Sequence, residues 1–307
     1  MSSAAPGDAQ ASDQDGAVRL AREWTVMFLQ PRTLQEAVEL FAAHGGMLVA
    51  GGTDVFPAQG ERPSPETVID LSRVADLKGI RVAGDHVRIA GGVTWSELIA
   101  ADLPRAFDGL KAAAREVGSI QIQNRGTIAG NLCNASPAAD GVPPLLALDA
   151  AVELTSGNGV RRLELADFIL GNRRTALRRG EILSAVLVPR ALDDAGSAFL
   201  KLGARRYLVI SIVMVAAIIA RRPDGAVCAA RVAVGAASAV ARRLPALEDR
   251  LIGACPATRL SSLIAADDLA GLAPIDDVRG SAAYRLEAAR ELVGRTVDLA
   301  AGAIVDA

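Results

Sequence analysis

An α+β chain, with a small β–α–β unit, a larger antiparallel part and a C-terminal α+β segment, is the fold class the sequence predicts. Three observations carry this. A strand–helix–strand rhythm ending in a glycine turn occupies the first quarter, apolar and polar residues then alternate as in hairpins from Ile80, and beyond Leu192 long apolar runs give way to Ala- and Leu-rich sequence. With 307 residues, 51% of them hydrophobic and 22% charged, and a mean hydropathy of +0.28, the chain can bury a substantial core. Two or three domains are expected.

Residues 1–24 begin "MSSAAPGDAQASDQDGA", small, polar and acidic without the apolar stretch of a secretory signal, and read as a disordered tail. "TVMFL" is a short strand, Pro31–Thr33 starts a helix, and apolar spacing from Leu34 to Ala43 is helical until Gly45–Gly46 stops it. Met47–Ala50 is a strand that runs into a glycine turn, and "ETVIDLSRV" adds another with Asp70 at its end. From Ile80 "IRVAGDHVRIAGG" alternates around the turn Ala83–Gly84–Asp85, so the sheet type shifts near residue 79. A helix from Arg105 to Val117 leads into the polar stretch "QNRGTIAGNLCNASPAAD" at 123–140. "PPLLALDAAVELTSGNGVRRLEL" then reads as a helix and a hairpin, and "EILSAVLVP" as one more strand. Beyond Leu192, strands flank the turn Pro223–Asp224–Gly225, and helices dominate from Ala246 to the end. The expected divisions are 25–78 and 79–190, together one domain over 25–190, and a separate α+β domain over 191–307.

Several partner classes are excluded. A pI near 5.8, no basic block and few aromatic residues argue against nucleic acid. The most apolar run, Leu208 to Ala220, is shorter than the roughly 20 residues a spanning helix needs and reads as a buried strand, so no membrane span is expected. Cys133, Cys228 and Cys255 are scattered and form no CxxC, which excludes a disulfide framework or a self-contained metal site and suits a reducing, cytoplasmic compartment.

The chemistry concentrates in two glycine-containing stretches. In "LVAGGTDV", residues 48–55, Gly51–Gly52–Thr53 directly follow a strand; glycines allow positive φ and close approach to the amides, successive N–H groups form an anion nest, and the Thr53 hydroxyl adds a hydrogen bond. A plain turn explains such a Gly-Gly equally, and neither GxGxxG nor GxxxxGK[ST] occurs. "GTIAGN" at 126–131 repeats the chemistry with Thr127, Gly130 and Asn131, and the Asp140 carboxylate beyond it suits a sugar hydroxyl. Together the two stretches imply a dinucleotide, the alternative being that both merely close loops.

Other residues read as structural. His44 ends a helix and His86 sits in a hairpin; Cys133 lacks a neighbouring histidine to activate it. Arg173–Arg174 and Arg178–Arg179 suit solvated surface or a contact with an acidic partner. Lys201 and Arg205 precede the apolar run, where an ammonium could sit beside an anionic ring or phosphate, or simply face solvent. No Ser/His/Asp or metal constellation emerges, so neither catalytic residues nor metal ligands are expected.

The stretches "PRTLQEAVELF", "AGGTD", "VIDLSRVADLKGI", "GGVTWSEL", "RGTIAGNLCNASPAAD", "EILSAVLVP" and "KLGARRYLVIS" occur in one order over residues 25–300. In that order and spacing the chain resembles the FAD-binding (medium) subunit of the molybdenum hydroxylases, the xanthine and carbon monoxide dehydrogenase family. The resemblance implies a vanillyl-alcohol-oxidase (PCMH)-type FAD-binding fold of two subdomains plus a C-terminal α+β domain. It implies non-covalent FAD extended between the subdomains. Leu48, Val49, Ala50, Gly51, Gly52, Thr53, Asp54 and Val55 would surround the pyrophosphate with Thr127, Ile128, Ala129, Gly130 and Asn131. Asp140 would bind FAD too, Leu183 would pack on it, and Lys201 would lie close to the flavin. Val117 stands where some relatives place an aromatic neighbour of the flavin. Many relatives carry a lysine soon after the first glycine turn, and "VFPAQGERP" has none.

The resemblance further implies an electron-transfer role. A large molybdopterin-binding subunit would hydroxylate the substrate, a small subunit with two [2Fe–2S] clusters would deliver electrons, and this chain would pass them to an external acceptor, in a dimer of heterotrimers. A self-sufficient flavin oxidoreductase of the same fold would need its own acid or base, for which Tyr207, Tyr284 and the two histidines offer little. A cofactor-free structural subunit would be colourless.

Overall fold

Thr33 starts the first helix because its hydroxyl accepts the Glu36 N–H while the Glu36 carboxylate accepts the Arg32 N–H. The computed structural model describes residues 27–60, 67–255 and 257–302; the tail expected at 1–24 lies outside them. Strand β1 (Met27–Leu29), helix α1 (Leu34–His44), strand β2 (Met47–Val49), the short helix α2 (Val55–Gln59) and strand β3 (Thr67–Asp70) form the first unit. Its three strands are all parallel in the order β1-β3-β2, which the helix crossover requires. Ala37 and Val38 of α1 pack with Ile69, Leu71, Val74 and Leu77 into a small core that also takes in Ile182.

The second unit is antiparallel. Strands β4 (Ile80–Ala83) and β5 (His86–Ala90) form the expected hairpin, and helices α3 (Trp95–Ala100), α4 (Asp108–Glu116), α5 (Ile120–Gln123), α6 (Ile128–Asn134) and α7 (Val142–Ala147) follow. The hairpin β6 (Ala151–Ser156) and β7 (Gly159–Glu164), a helical turn α8 (Leu165–Phe168), the short pair β8 (Ile169–Gly171) and β9 (Arg174–Thr175), and β10 (Ile182–Pro189) complete it. The strand order is β4-β5-β10-β6-β7, so β10 is central, and Ile182 to Val188 are buried throughout. That explains why "ILSAVLV" shows no alternation.

The third sheet is β11 (Gly196–Leu202), β12 (Val213–Arg221), β13 (Val227–Gly235) and β14 (Arg242–Arg243), antiparallel and in sequence order. Helices α9 (Pro245–Leu251) and α10 (Ala282–Ala300) cover one face. Met214, Ala216 and Ile218 of β12, with Phe199 and Ala233, belong to the core of the second unit, whereas Val213, Val215, Ala217 and Ile219 pack with α9 and α10. Both faces of β12 are dry.

Three expectations need correcting. Only Val213 onward in the Leu208–Ala220 run is strand; Leu208 has φ +53° and is 55% exposed, because Tyr207 to Ser211 form a loop. The Arg105–Val117 helix begins with a 3-10 turn at Arg105–Phe107, directly after Pro104, and is α-helical only from Asp108 to Glu116. Beyond Ala246 only α9 and α10 are regular α-helices among the described residues; the segment between them, punctuated by Gly253, Gly271, Pro274 and Gly280, holds two short 3-10 helices at Leu260–Leu263 and Ala266–Leu269.

Gly196 opens β11 where a Cβ would lie 2.1 Å from the Ala300 carbonyl oxygen of α10. Gly196→Ala therefore forces helix and sheet apart and should cost about 1–3 kcal/mol by overpacking, read as a lower midpoint in thermal or urea unfolding.

Candidate functional site

Two loops from different units meet backbone to backbone. Gly51 follows β2 and packs on the Arg125–Gly126 peptide so closely that a Cβ would lie 2.0 Å from the Arg125 carbonyl oxygen. Gly52 has φ +73°, and its α-carbon faces the Phe56 ring. The partner loop is held by main-chain bonds to the segment after β5. Trp95 N–H donates to Gly126 O at 3.2 Å, Ile128 N–H to Val93 O at 2.9 Å, and Ala129 N–H to Gly91 O at 3.1 Å. Gly91 N–H in turn donates to Ser184 O of β10 at 2.8 Å, so the central strand fixes the loop.

At this junction lies a cavity of about 630 Å³. Leu48, Ala50, Gly51, Gly52, Thr53, Asp54, Val55, Thr127, Ala129, Gly130, Asn131 and Leu183 line it. Val49 and Ile128 do not; both are buried in the protein. Asp140 and Lys201 do not line it either, because they are paired with each other at 2.7 Å, and the Ser211 hydroxyl donates to Asp140 at 2.6 Å. Burial pushes the Asp140 carboxyl above its ordinary value, with the Lys201 ammonium pulling the other way. A second cavity of about 420 Å³ shares Ala50, Gly51 and Thr127 with the first and lies against Lys78, Asn124 and Arg125.

The two glycine stretches differ in what they offer. "GTIAGN" is the start of α6, with Thr127 as its N-cap. The Gly130 N–H donates to Thr127 Oγ1, the Asn131 N–H to Thr127 O, and those of Ile128 and Ala129 to the preceding segment. The expected amide nest is thus absent there, because the cap and the neighbouring chain consume its donors. Among the described residues the amides of Gly51, Gly52, Thr53 and Asp54 have no protein acceptor. Asn131 adds a side chain whose Oδ1 is buried without a hydrogen-bond partner.

Several residues of the cavity escaped the sequence reading. Trp95 forms part of the wall and is 1% exposed; Gly141, beside Asp140, leaves room for its ring, since a Cβ there would lie 2.4 Å from Cη2. Arg173 lines the cavity, and its Nη1 donates to Asn134 Oδ1 at 2.6 Å while Asn134 Nδ2 donates to Asp54 Oδ1 at 2.9 Å. Glu181 accepts two bonds from Arg161, at 2.6 and 2.9 Å, and one from the Arg178 N–H. Only the polar composition of 123–140 could have signalled Asn134; nothing local marks the others. Val117 and Ile122 supply apolar wall. Burial pushes the Cys133 thiol up to about 12, so it stays protonated. His86 Nδ1 bonds to Asp85, and among the described residues no group of three or more His, Cys, Asp and Glu could hold a metal.

Amides free among the described residues, an unpartnered amide oxygen and a cavity lined from both the first and the second unit fit a dinucleotide with a phosphate bridge. Residues 22–191 match the family described as the FAD binding domain in molybdopterin dehydrogenase, and residues 198–300 match the CO dehydrogenase flavoprotein C-terminal domain. The chain belongs to this family of FAD-binding oxidoreductases, as the motif order implied. It is 38% identical to the nicotinate dehydrogenase FAD-subunit of Eubacterium barkeri, over 61% of this chain and 66% of that one. Against the nicotine 6-hydroxylase medium subunit of Paenarthrobacter nicotinovorans it is 30% identical over 89% and 96% of the two chains. The carbon monoxide dehydrogenase structure from Hydrogenophaga pseudoflava superposes with a TM-score of 0.82 at 30% identity, covering 90% of this chain and 96% of that one.

Glu181 provides a pH test of the cavity wall. The Arg161 hydrogen bonds hold its carboxyl below the ordinary value of 4.5, so the pair's stabilisation is complete above that value and is lost as pH falls through the lowered one. Unfolding midpoints measured from pH 7 downward should decline less steeply below 4.5 in Arg161→Ala than in the unmodified protein; parallel declines would refute this.

Proposed function

We propose that this chain is the FAD-carrying electron-transfer subunit of a multi-subunit molybdenum hydroxylase. It takes electrons from the [2Fe–2S] clusters of a small partner subunit and passes them to an external acceptor, while a separate large molybdopterin-binding subunit hydroxylates the substrate. A dimer of heterotrimers, a cytoplasmic location, and the division into 25–78, 79–190 and 191–307 belong to the same reading. The observation that carries it is the glycine-loop junction, with four amides lacking acceptors among the described residues over a cavity of about 630 Å³, in a member of the FAD family.

Bound FAD supplies reversible two-electron chemistry that can also run in single-electron steps. The chain's own residues position it. The amides of Gly51, Gly52, Thr53 and Asp54 hold the diphosphate, and the Thr127 hydroxyl, which accepts the Gly130 N–H, keeps its own proton to donate. Asn131 contributes its unpartnered oxygen or its amide, and Leu48, Val117, Ile122 and Leu183 exclude water. Asp140 lies behind the cavity, held by Lys201 and the Ser211 hydroxyl, and braces the segment that follows α6. The two cavities sharing Gly51 and Thr127 leave room on both sides of the junction for an extended molecule.

Gly130 faces the cavity, and a Cβ would lie 2.9 Å from Thr127 Oγ1. Gly130→Val should therefore strip the flavin absorbance from purified protein, and full retention would refute the loop assignment. Affinity capture from the native host, with an absorption spectrum and metal analysis, should return FAD and molybdenum with one large and one small iron-containing partner. A lone yellow protein without metals would instead indicate a self-sufficient flavin oxidoreductase, and a colourless one a structural subunit.

A further inference from the structure

The glycine loop that offers its amides carries no cation: from Leu48 to Gly60 there is neither lysine nor arginine. Among the described residues lining the cavity, Arg173 is the only lysine or arginine. It comes from the opposite wall, in the tight connection between β8 and β9, and its placement is fixed twice. Its backbone adopts φ +53°, uncommon for a residue with a side chain, and its N–H donates to the Ala135 carbonyl at 2.9 Å. Its guanidinium donates through Nη1 to Asn134, which holds Asp54. Asn134 is neutral, so among the described residues no carboxylate pairs directly with this guanidinium and its Nε and Nη2 have no acceptor. Among the described residues, one amide side chain therefore separates an unneutralised cation from the loop whose amides also lack acceptors.

We propose that Arg173 binds the diphosphate of the cofactor, closing the anion site from the side facing the glycine loop. The proposal rests on the flavin reading given above. Amide donors alone solvate a doubly charged bridge without neutralising it, and a guanidinium with spare donors in a fixed fork matches two phosphate oxygens. Asn134 then has a purpose beyond packing: it aims the guanidinium and ties it to Asp54, so that loop and cation approach the ligand together.

The test uses the full chain freed of flavin and titrated with FAD at several salt concentrations. Arg173→Gln should bind FAD at least about tenfold more weakly, the loss expected for a charge-assisted hydrogen bond, and its affinity should depend less on salt because one ionic contact is gone. Arg173→Lys should recover part of the affinity and the salt dependence. Unchanged affinity in Arg173→Gln, weaker binding with undiminished salt dependence, or a lysine variant as weak as the glutamine one would each overturn the proposal. Unmodified protein that takes up no FAD would overturn the flavin reading itself, an outcome distinct from all of these.

Discussion

The contact between Gly51 and the Arg125–Gly126 peptide is the constraint on which the site depends. A carbonyl oxygen 2.0 Å from where a Cβ would be admits hydrogen alone at Gly51. Any side chain there would separate two loops contributed by a parallel three-stranded sheet and an antiparallel five-stranded one. Everything chemically useful follows from that proximity: the loops define the cavity, and neither forms it alone.

Rigidity and availability are divided between the two loops. The loop at 126–131 is tied through Gly91, Val93 and Trp95 to the central strand β10, and its helix N-terminus is internally satisfied. Such a segment is a wall. The loop at 51–54 retains donors that a folded chain normally pairs with protein or water. Holding one side fixed while the other keeps its hydrogen-bonding capacity gives a ligand a defined shape and an enthalpic reason to bind. Arg161 and Glu181 stiffen the third side, where the chain enters β10.

Local patterns were legible in the sequence and tertiary placement was not. The β–α–β rhythm, the hairpin at Gly84 and the strand at 182–189 appear because periodicity and glycine placement are local signals. The family and the FAD followed from motif order, and so did the two glycine stretches that line the cavity. The reading went wrong where distant partners decide the outcome. Leu208 and Ile210 look like strand but face solvent, the amides of α6 are used by residues far back in the chain, and Asp140 turns to Lys201, 61 positions away. Arg173 is exposed, as its sequence context suggested, but nothing near it in sequence reveals that α6 ends beside it.

Strand β12 ties the C-terminal sheet to the rest. Its alternate residues feed two different cores, so Met214, Ala216 and Ile218, with Phe199 and Ala233, complete the interior of a unit that ends before residue 190. A fragment cut between the two matched families, near residues 191–198, would expose a broad apolar face on each half. The seam that separates them in ancestry therefore does not separate them as material: the flavin-binding part borrows its floor from its neighbour, and the two must be made, purified and unfolded as one.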